Sequence, residues 1–152
     1  MKILIATDAS GYSNAAIDKG LEMLKTGDIS IKIVSVIEPP LMTAEPFSGP
    51  VDLYRETENA VHRQAETAIE AGEIRVRERM GAGLSEAALS TEILIGSPAR
   101  RIVEEAQKWE ADLIVIGSHG YGFWERMMLG SVSQSVMQHA PCSVLVVRKE
   151  QS

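Results

Sequence analysis

The stretch from Gly117 to Ser133 holds the residues of this chain best suited to chemistry: Gly117-Ser118-His119-Gly120, nine residues, then Gly130-Ser131-Val132-Ser133. Glycine lacks the Cβ that would keep a phosphate away from the backbone, and it takes positive φ without strain. Gly117, Gly120 and Gly130 can therefore present main-chain amides closely to an anion. The segment follows an apolar run that reads as a strand and leads into a helix, whose first N–H groups and partial positive charge favour phosphate. Ser131 and Ser133 offer hydroxyl donors, although Ser131 is equally placed to cap the helix. There is no Gly-x4-Gly-Lys-Ser/Thr run and no Gly-x-Gly-x-x-Gly after the first strand, which argues against a P-loop motor or a dinucleotide dehydrogenase.

Other candidates carry less. His119 could touch a phosphate or carry a proton, but a lone loop histidine without an identified partner is weak support for catalysis. His139 and Cys142 are spaced like half of a zinc site, yet Pro141 intervenes and a second ligand pair is missing, so Cys142 reads as a small buried residue entering a strand. His62 reads as a surface or packing residue of a long helix. No general base and nucleophile stand together in a way that suits rapid turnover. Arg75, Arg77 and Arg79 alternate with Glu73 and Glu78 and read as a solvated mixed-charge face. A net charge of -6 and a pI near 5.1 argue against a partner gripped along nucleic-acid phosphates. A bound nucleotide is compatible with that charge, because backbone amides hold phosphate without cationic side chains.

The elements that must position these residues are legible as five apolar runs alternating with four helix-compatible stretches. Ile3 to Thr7, Ile31 to Val36, Thr91 to Ile95, Leu113 to Gly117 and Ser143 to Val147 read as strands, and their near-continuous Val, Ile and Leu content suits a parallel sheet covered on both faces. Ile17, Leu21 and Leu24 make the first helix stripe, with Ser13 as its expected N-cap and Gly27 as its end. Val61, Ala65, Ala68, Gly72, Val76 and Met80 mark a second helix over much of Asp52 to Met80, stopped by Gly81 and Gly83. Ser97 as cap and Pro98 at the first position open the third, which turns Ile102, Val103, Ala106 and Trp109 inward. The fourth opens near Ser131, carries Val132 and Val136 on its inner face, and stops before Pro141.

The chain has 152 residues, 45% hydrophobic and 24% charged, as expected of one globular α/β domain over residues 1–152. The start shows no export signal and no run spans a bilayer, so no membrane partner is expected. The single Cys142 fits a reducing, cytoplasmic setting. Pro39, Pro40, Pro46 and Pro50 make Glu38 to Val51 a long loop, either a lid or an irregular surface excursion.

The order Gly, two residues, Gly, nine residues, Gly-Ser after a strand resembles the nucleotide-binding signature of ATP-binding universal stress proteins. With Asp8 ending the first strand and the Gly-Ser-Val-Ser helix start, the resemblance extends over nearly the whole chain. It implies an open Rossmann-like sheet of strand order 3-2-1-4-5, in which the first and fourth strands share one crevice. It implies that ATP, with Mg or Mn, is the cofactor. Asp8, after Ala6 and Thr7, would contact the ribose or a phosphate-bound metal, although Asp there also suits a turn. Val36 would lie on the adenine side, and Ile116, Gly117, Gly120, Gly130, Ser131, Val132 and Ser133 on the phosphate and ribose side. Tyr121 stands where many relatives carry a basic residue, and Arg126 is a candidate to compensate. Trp124 suits a partner contact, a cover for the loop, or core packing.

The resemblance further implies a stress-response or signalling module with at most slow ATP hydrolysis or self-phosphorylation, and a homodimer joined through the last strand. The apolar Val144 to Val147 run at a sheet edge invites such pairing, though the chain's own terminus could also cover it. The alternative function is a nucleotide-free interaction module that keeps the glycines for backbone geometry.

Overall fold

A computed structural model describes residues 1–24, 28–39, 51–120 and 129–149, with 51–54 described by backbone alone. Its strands are β1 (Lys2–Ala6), β2 (Ser30–Ile37), β3 (Leu89–Ile95), β4 (Leu113–Gly117) and β5 (Ser143–Val147). Its helices are α1 (Gly11–Met23), α2 (Val51–Met80), α3 (Pro98–Lys108) and α4 (Ser131–His139). The strands pair in parallel in the order β3-β2-β1-β4-β5, as the alternation of the sequence and the resemblance imply.

Central β1 has Ile3, Leu4 and Ile5 fully buried, because helices cover both faces and each side of the strand meets a core. On one face Ile3, Ile5, Ile31, Ile33 and Val115 pack with Ile17 and Leu21 of α1 and Val76 of α2. On the other, Leu4, Ala6, Val34, Ile114 and Ile116 pack with Ile102 and Ala106 of α3 and Val136 of α4. Burying an Ile, Leu or Val side chain contributes roughly 1.5–3 kcal/mol, so these two clusters hold the layers together. None of the described helices is long and apolar enough to cross a membrane.

Several boundaries differ from expectation. The cap of α1 is Ser10, whose hydroxyl accepts from Ser13 N at 3.2 Å, so Ser13 is the residue capped and lies within the first turn. The same helix ends at Met23, and Gly27 lies outside the described residues, as does most of the loop before α2. Strand β3 starts at Leu89, two residues before the Thr91 start expected from its apolar run, since backbone pairing with β2 continues through the polar Ser90. Ser97 occupies the cap position of α3 without a side-chain cap bond, and Pro98 opens that helix as expected. Cys142 is partly rather than fully buried, and burial together with the Asp112 charge pushes its thiol above the ordinary range.

A charged cluster pins α3 to the sheet. Glu105, on α3, is 3% exposed and accepts from Lys32 Nζ of β2 at 2.7 Å, while Lys32 also reaches Glu92 of β3 at 3.2 Å and Lys108 reaches Glu105 at 3.3 Å. The Lys32 ammonium also lies 5.5 Å from the Trp109 ring centroid. Burial works against charge on both partners, but the hydrogen bonds and opposite charges outweigh it, holding Glu105 below and Lys32 above their ordinary ranges.

Candidate functional site

From β1 the chain winds through α1 to β2 on one face of the sheet, and from β3 it winds through α3 to β4 on the other. The reversal falls between β1 and β4, where open parallel sheets bind ligands beyond their C-terminal strand ends. A cleft of about 310 Å³ lies there. Its walls include Ala6, Thr7, Asp8, Val36, Ile116, Gly117, Gly120, Gly130, Ser131, Val132 and Ser133, so all positions singled out as ligand-side in the sequence meet at one place. Ser13, Val34, Pro98, Ile102 and His119 complete it. Of these only His119 is a ligand contact that the sequence itself suggests. The first turn of α3 signalled Pro98 and Ile102 as helix start and core, but its approach to the cleft is a matter of packing across the sheet.

The turn from β1 into α1 is internally satisfied. Asp8 Oδ1 accepts from Ser10 N at 2.9 Å, and Thr7 Oγ1 accepts from Ala9 N at 3.2 Å. Ser10 caps Ser13 N, and Ser13 Oγ donates to Ser10 O at 3.1 Å. These bonds hold Ala9 at φ +61°, a conformation that costs a non-glycine residue about 1–2 kcal/mol. Asp8 therefore does build the turn, as its chemistry allowed. Its second oxygen lies against Gly120, where a Cβ would stand 2.9 Å from Oδ2.

The turn from β4 to α4 is built differently, and two of its glycines also have structural reasons to be there. A Cβ at Gly117 would stand 2.8 Å from the backbone C and O of Tyr12, so the close approach of α1 by itself requires glycine here. Gly130 donates its N–H to Ser118 O at 2.7 Å and is thus not a spare amide. It is the N-cap residue of α4, its carbonyl accepting Gln134 N at 3.0 Å, and among the described residues no side chain caps the helix. Ser131 is accordingly the first helical residue and not the cap. The N–H groups of Ser131, Val132 and Ser133 open the helix at the cleft, where an α-helix supplies no partner for its first amides, and among the described residues no side chain caps them. The Ser133 hydroxyl is 2% exposed and lies 2.9 Å from Gly130 O and 3.0 Å from Ser118 O, so its proton serves an internal carbonyl.

At the opposite end of the cleft, β2 outruns β1. Successive strand residues point their N–H and C=O to alternate neighbours. Val34 O accepts from Thr7 N on the β1 side at 2.9 Å, and Ile37 O accepts from Gly96 N on the β3 side at 2.9 Å. Val36 therefore turns its N–H and C=O toward the β1 side, two residues beyond the last pair, Ala6 with Val34. One donor and one acceptor thus border the apolar end formed by Val34, Ile102, Ile116 and Pro98.

The whole-chain pattern now has a family attached to it. Residues 1–148 match the universal stress protein family. The chain belongs to that family. Universal stress protein MJ0531 of Methanocaldococcus jannaschii is 34% identical over 148 residues, covering 97% of this chain and 82% of that protein. The solved structure of the hypothetical protein MJ0577 superposes with a TM-score of 0.79 at 26% identity, over 99% of this chain and 97% of the other. More distant in sequence are a universal stress protein solved in complex with cAMP (TM-score 0.68, 22% identity, covering 99% and 98%) and an Arabidopsis thaliana member with AMP bound (TM-score 0.69, 19% identity, covering 99% and 92%). These last two share the fold of this universal stress protein.

Ser118 Oγ lies 3.0 Å from His119 Nδ1, and the His119 ring packs on Tyr12 with centroids 5.1 Å apart. The pair has the atom types of a nucleophile and its base. Ser118 is only 1% exposed, however, which keeps its oxygen from an incoming substrate. Tyr121, Trp124 and Arg126 lie outside the described residues.

Proposed function

We propose that this universal stress protein binds an adenine nucleotide in the cleft between β1 and β4, with ATP the expected ligand, and acts as a nucleotide-dependent stress-response or signalling module rather than as a rapid enzyme. The observation that carries this is the start of α4: three successive amides that no side chain among the described residues caps, at the positive end of a helix, on the wall of a cleft of about 310 Å³. The Val36 edge supports adenine in particular, since a backbone donor beside an acceptor matches the acceptor and donor on the edge of that base. The family members solved with cAMP and AMP support the same ligand class.

A divalent cation would come with the nucleotide. Such ions take phosphate oxygens, waters and one or two carboxylates, and Asp8 at the cleft supplies one carboxylate; among the described residues no group of three His, Cys, Asp or Glu could hold a metal. Asp8 would orient the hydrated ion or the ribose. The cation's chemistry is to neutralise phosphate charge. A cytoplasmic setting and a homodimer through Ser143–Val147 belong to the same proposal, the latter supported by the position of β5 at the sheet edge. A monomeric mass by light scattering at micromolar concentration would overturn the dimer.

The nucleotide-free alternative has an observation of its own. Gly117 is needed by α1, and Gly130 closes an internal hydrogen bond, so both glycines have a structural reason to be present. Two measurements separate the functions. Nucleotide released on denaturing the purified protein, and saturable heat on titrating the stripped protein with ATP and magnesium, are expected. Absence of both leaves the interaction module.

A further inference from the structure

The Ser118 carbonyl is the point where both ends of the excursion between β4 and α4 meet. It accepts Gly130 N at 2.7 Å and lies 3.0 Å from Ser133 Oγ, while the Ser118 N–H is itself anchored on Val147 O of β5 at 2.8 Å. Ser133 Oγ also lies 2.9 Å from Gly130 O, so one buried hydroxyl touches the carbonyls on both sides of the junction. It carries one proton and two lone pairs. Its proton is shared between two inward-facing carbonyls, and the side chain is 2% exposed.

We propose that Ser133 is a positioning residue for the anion seat, resting on the adenine-nucleotide assignment above: its hydroxyl ties the first turn of α4 to Ser118 and thereby aims the amides of Ser131, Val132 and Ser133, without the hydroxyl touching the ligand. The tie is needed because the helix lacks a side-chain cap at Gly130. Capping side chains ordinarily set the direction of the first turn by bonding its N–H groups. Here such a bond would occupy the very amides that the ligand requires. Ser133 holds the turn through carbonyls instead and leaves the donors open. The phosphate-bearing ligand class follows: a group that accepts from several convergent amides and has no need of a hydroxyl donor.

The test compares Ser133→Ala and Ser133→Thr with the native protein, each checked for folding by circular dichroism. Threonine in a helix can place its Oγ1 on the carbonyl three residues back, so it is the conservative rescue. Calorimetric titration with AMP and with adenosine separates the phosphate end from the base end. Ser133→Ala is expected to weaken AMP about tenfold, the size of one lost hydrogen-bond contribution, and to leave adenosine unchanged; Ser133→Thr restores AMP. In the ligand-free protein, hydrogen exchange at the Gly130 amide is expected to speed up about tenfold in Ser133→Ala. Unchanged exchange, unchanged AMP affinity, or equal weakening of AMP and adenosine would overturn the positioning role. A native protein that binds neither compound would instead overturn the nucleotide assignment, and the exchange measurement would still decide whether the tie exists.

Discussion

Two strand-to-helix turns stand side by side at the cleft, and they treat their helices in opposite ways. After β1, Asp8 and Thr7 bond the amides of Ser10 and Ala9 just before the helix, and the Ser10 side chain caps Ser13 N in the first turn of α1. After β4, Gly130 uses its one amide on Ser118 O and leaves α4 without a side-chain cap. Both helix starts carry the same partial positive charge. What differs is the cap: a side chain with an acceptor stands at one and a glycine at the other. In the proposed function the side-chain-capped turn is wall and the glycine-capped turn is the seat.

Closing the open turn is the strongest way to break this contrast. Gly130→Asp brings a carboxylate cap and a negative charge to the seat, and nucleotide affinity by calorimetry should fall at least about a hundredfold, roughly 2.7 kcal/mol. Its Cβ would stand 3.2 Å from Ser118 O, so the unfolding midpoint must be measured alongside. Affinity kept in a folded variant would mean that these amides are not the seat.

Gly117→Ala probes a second glycine of the same turn. Its Cβ meets Tyr12 backbone at 2.8 Å, and backbone cannot swing aside as a side chain can. A stability loss of about 2 kcal/mol in urea is expected, the usual size for overpacking. A native-like midpoint would show that α1 has slack here.

Opening the closed turn has a smaller effect. Ser10→Ala removes the cap of α1 and should cost about 1 kcal/mol of stability, with nucleotide affinity little changed. A large loss of affinity without loss of stability would show that the β1 turn contributes to the seat directly.

The least effect is one of slope, in the cluster where every charge has a partner. Glu105 is held below the ordinary glutamate range, against the cost of burial, by Lys32 and Lys108. A lowered value in the fold means that its stabilising contribution is complete above the ordinary range and is lost as pH falls through the lower folded value. Lys32, raised in the fold, keeps its contribution below the ordinary lysine range and loses it only as pH rises through the higher folded value. Urea midpoints followed from about pH 7 to about pH 3 should fall less steeply in Glu105→Gln than in the native chain. Equal slopes would remove Glu105 from the acid response.

Much of this was legible in advance because it depends on near neighbours. Leu113 to Gly117 and Ser143 to Val147 were bounded correctly by apolar runs with glycine or proline nearby, and Pro98 marked the start of α3. The α1 cap was misplaced because Ser10 and Ser13 are both good caps, and the choice rests on the Asx turn that Asp8 makes. Gly117 and Gly130 were read as amides for a ligand. Their neighbours in space, Tyr12 and Ser118, show why a glycine spacing alone cannot tell packing from binding. Glu105 gave no signal among the other charges of α3, since its partner Lys32 lies 73 residues away.

By itself the sequence determined the elements, their parallel arrangement and the place where phosphate chemistry could gather, because hydrophobic period, turn residues and helix starts are set by the residues beside them. Only the tertiary structure decided which donors stay open. That no side chain among the described residues caps α4, that Val36 overhangs the end of β1, and that Ser133 spends its hydroxyl inward all follow from how separate segments divide a limited set of hydrogen-bonding groups among themselves.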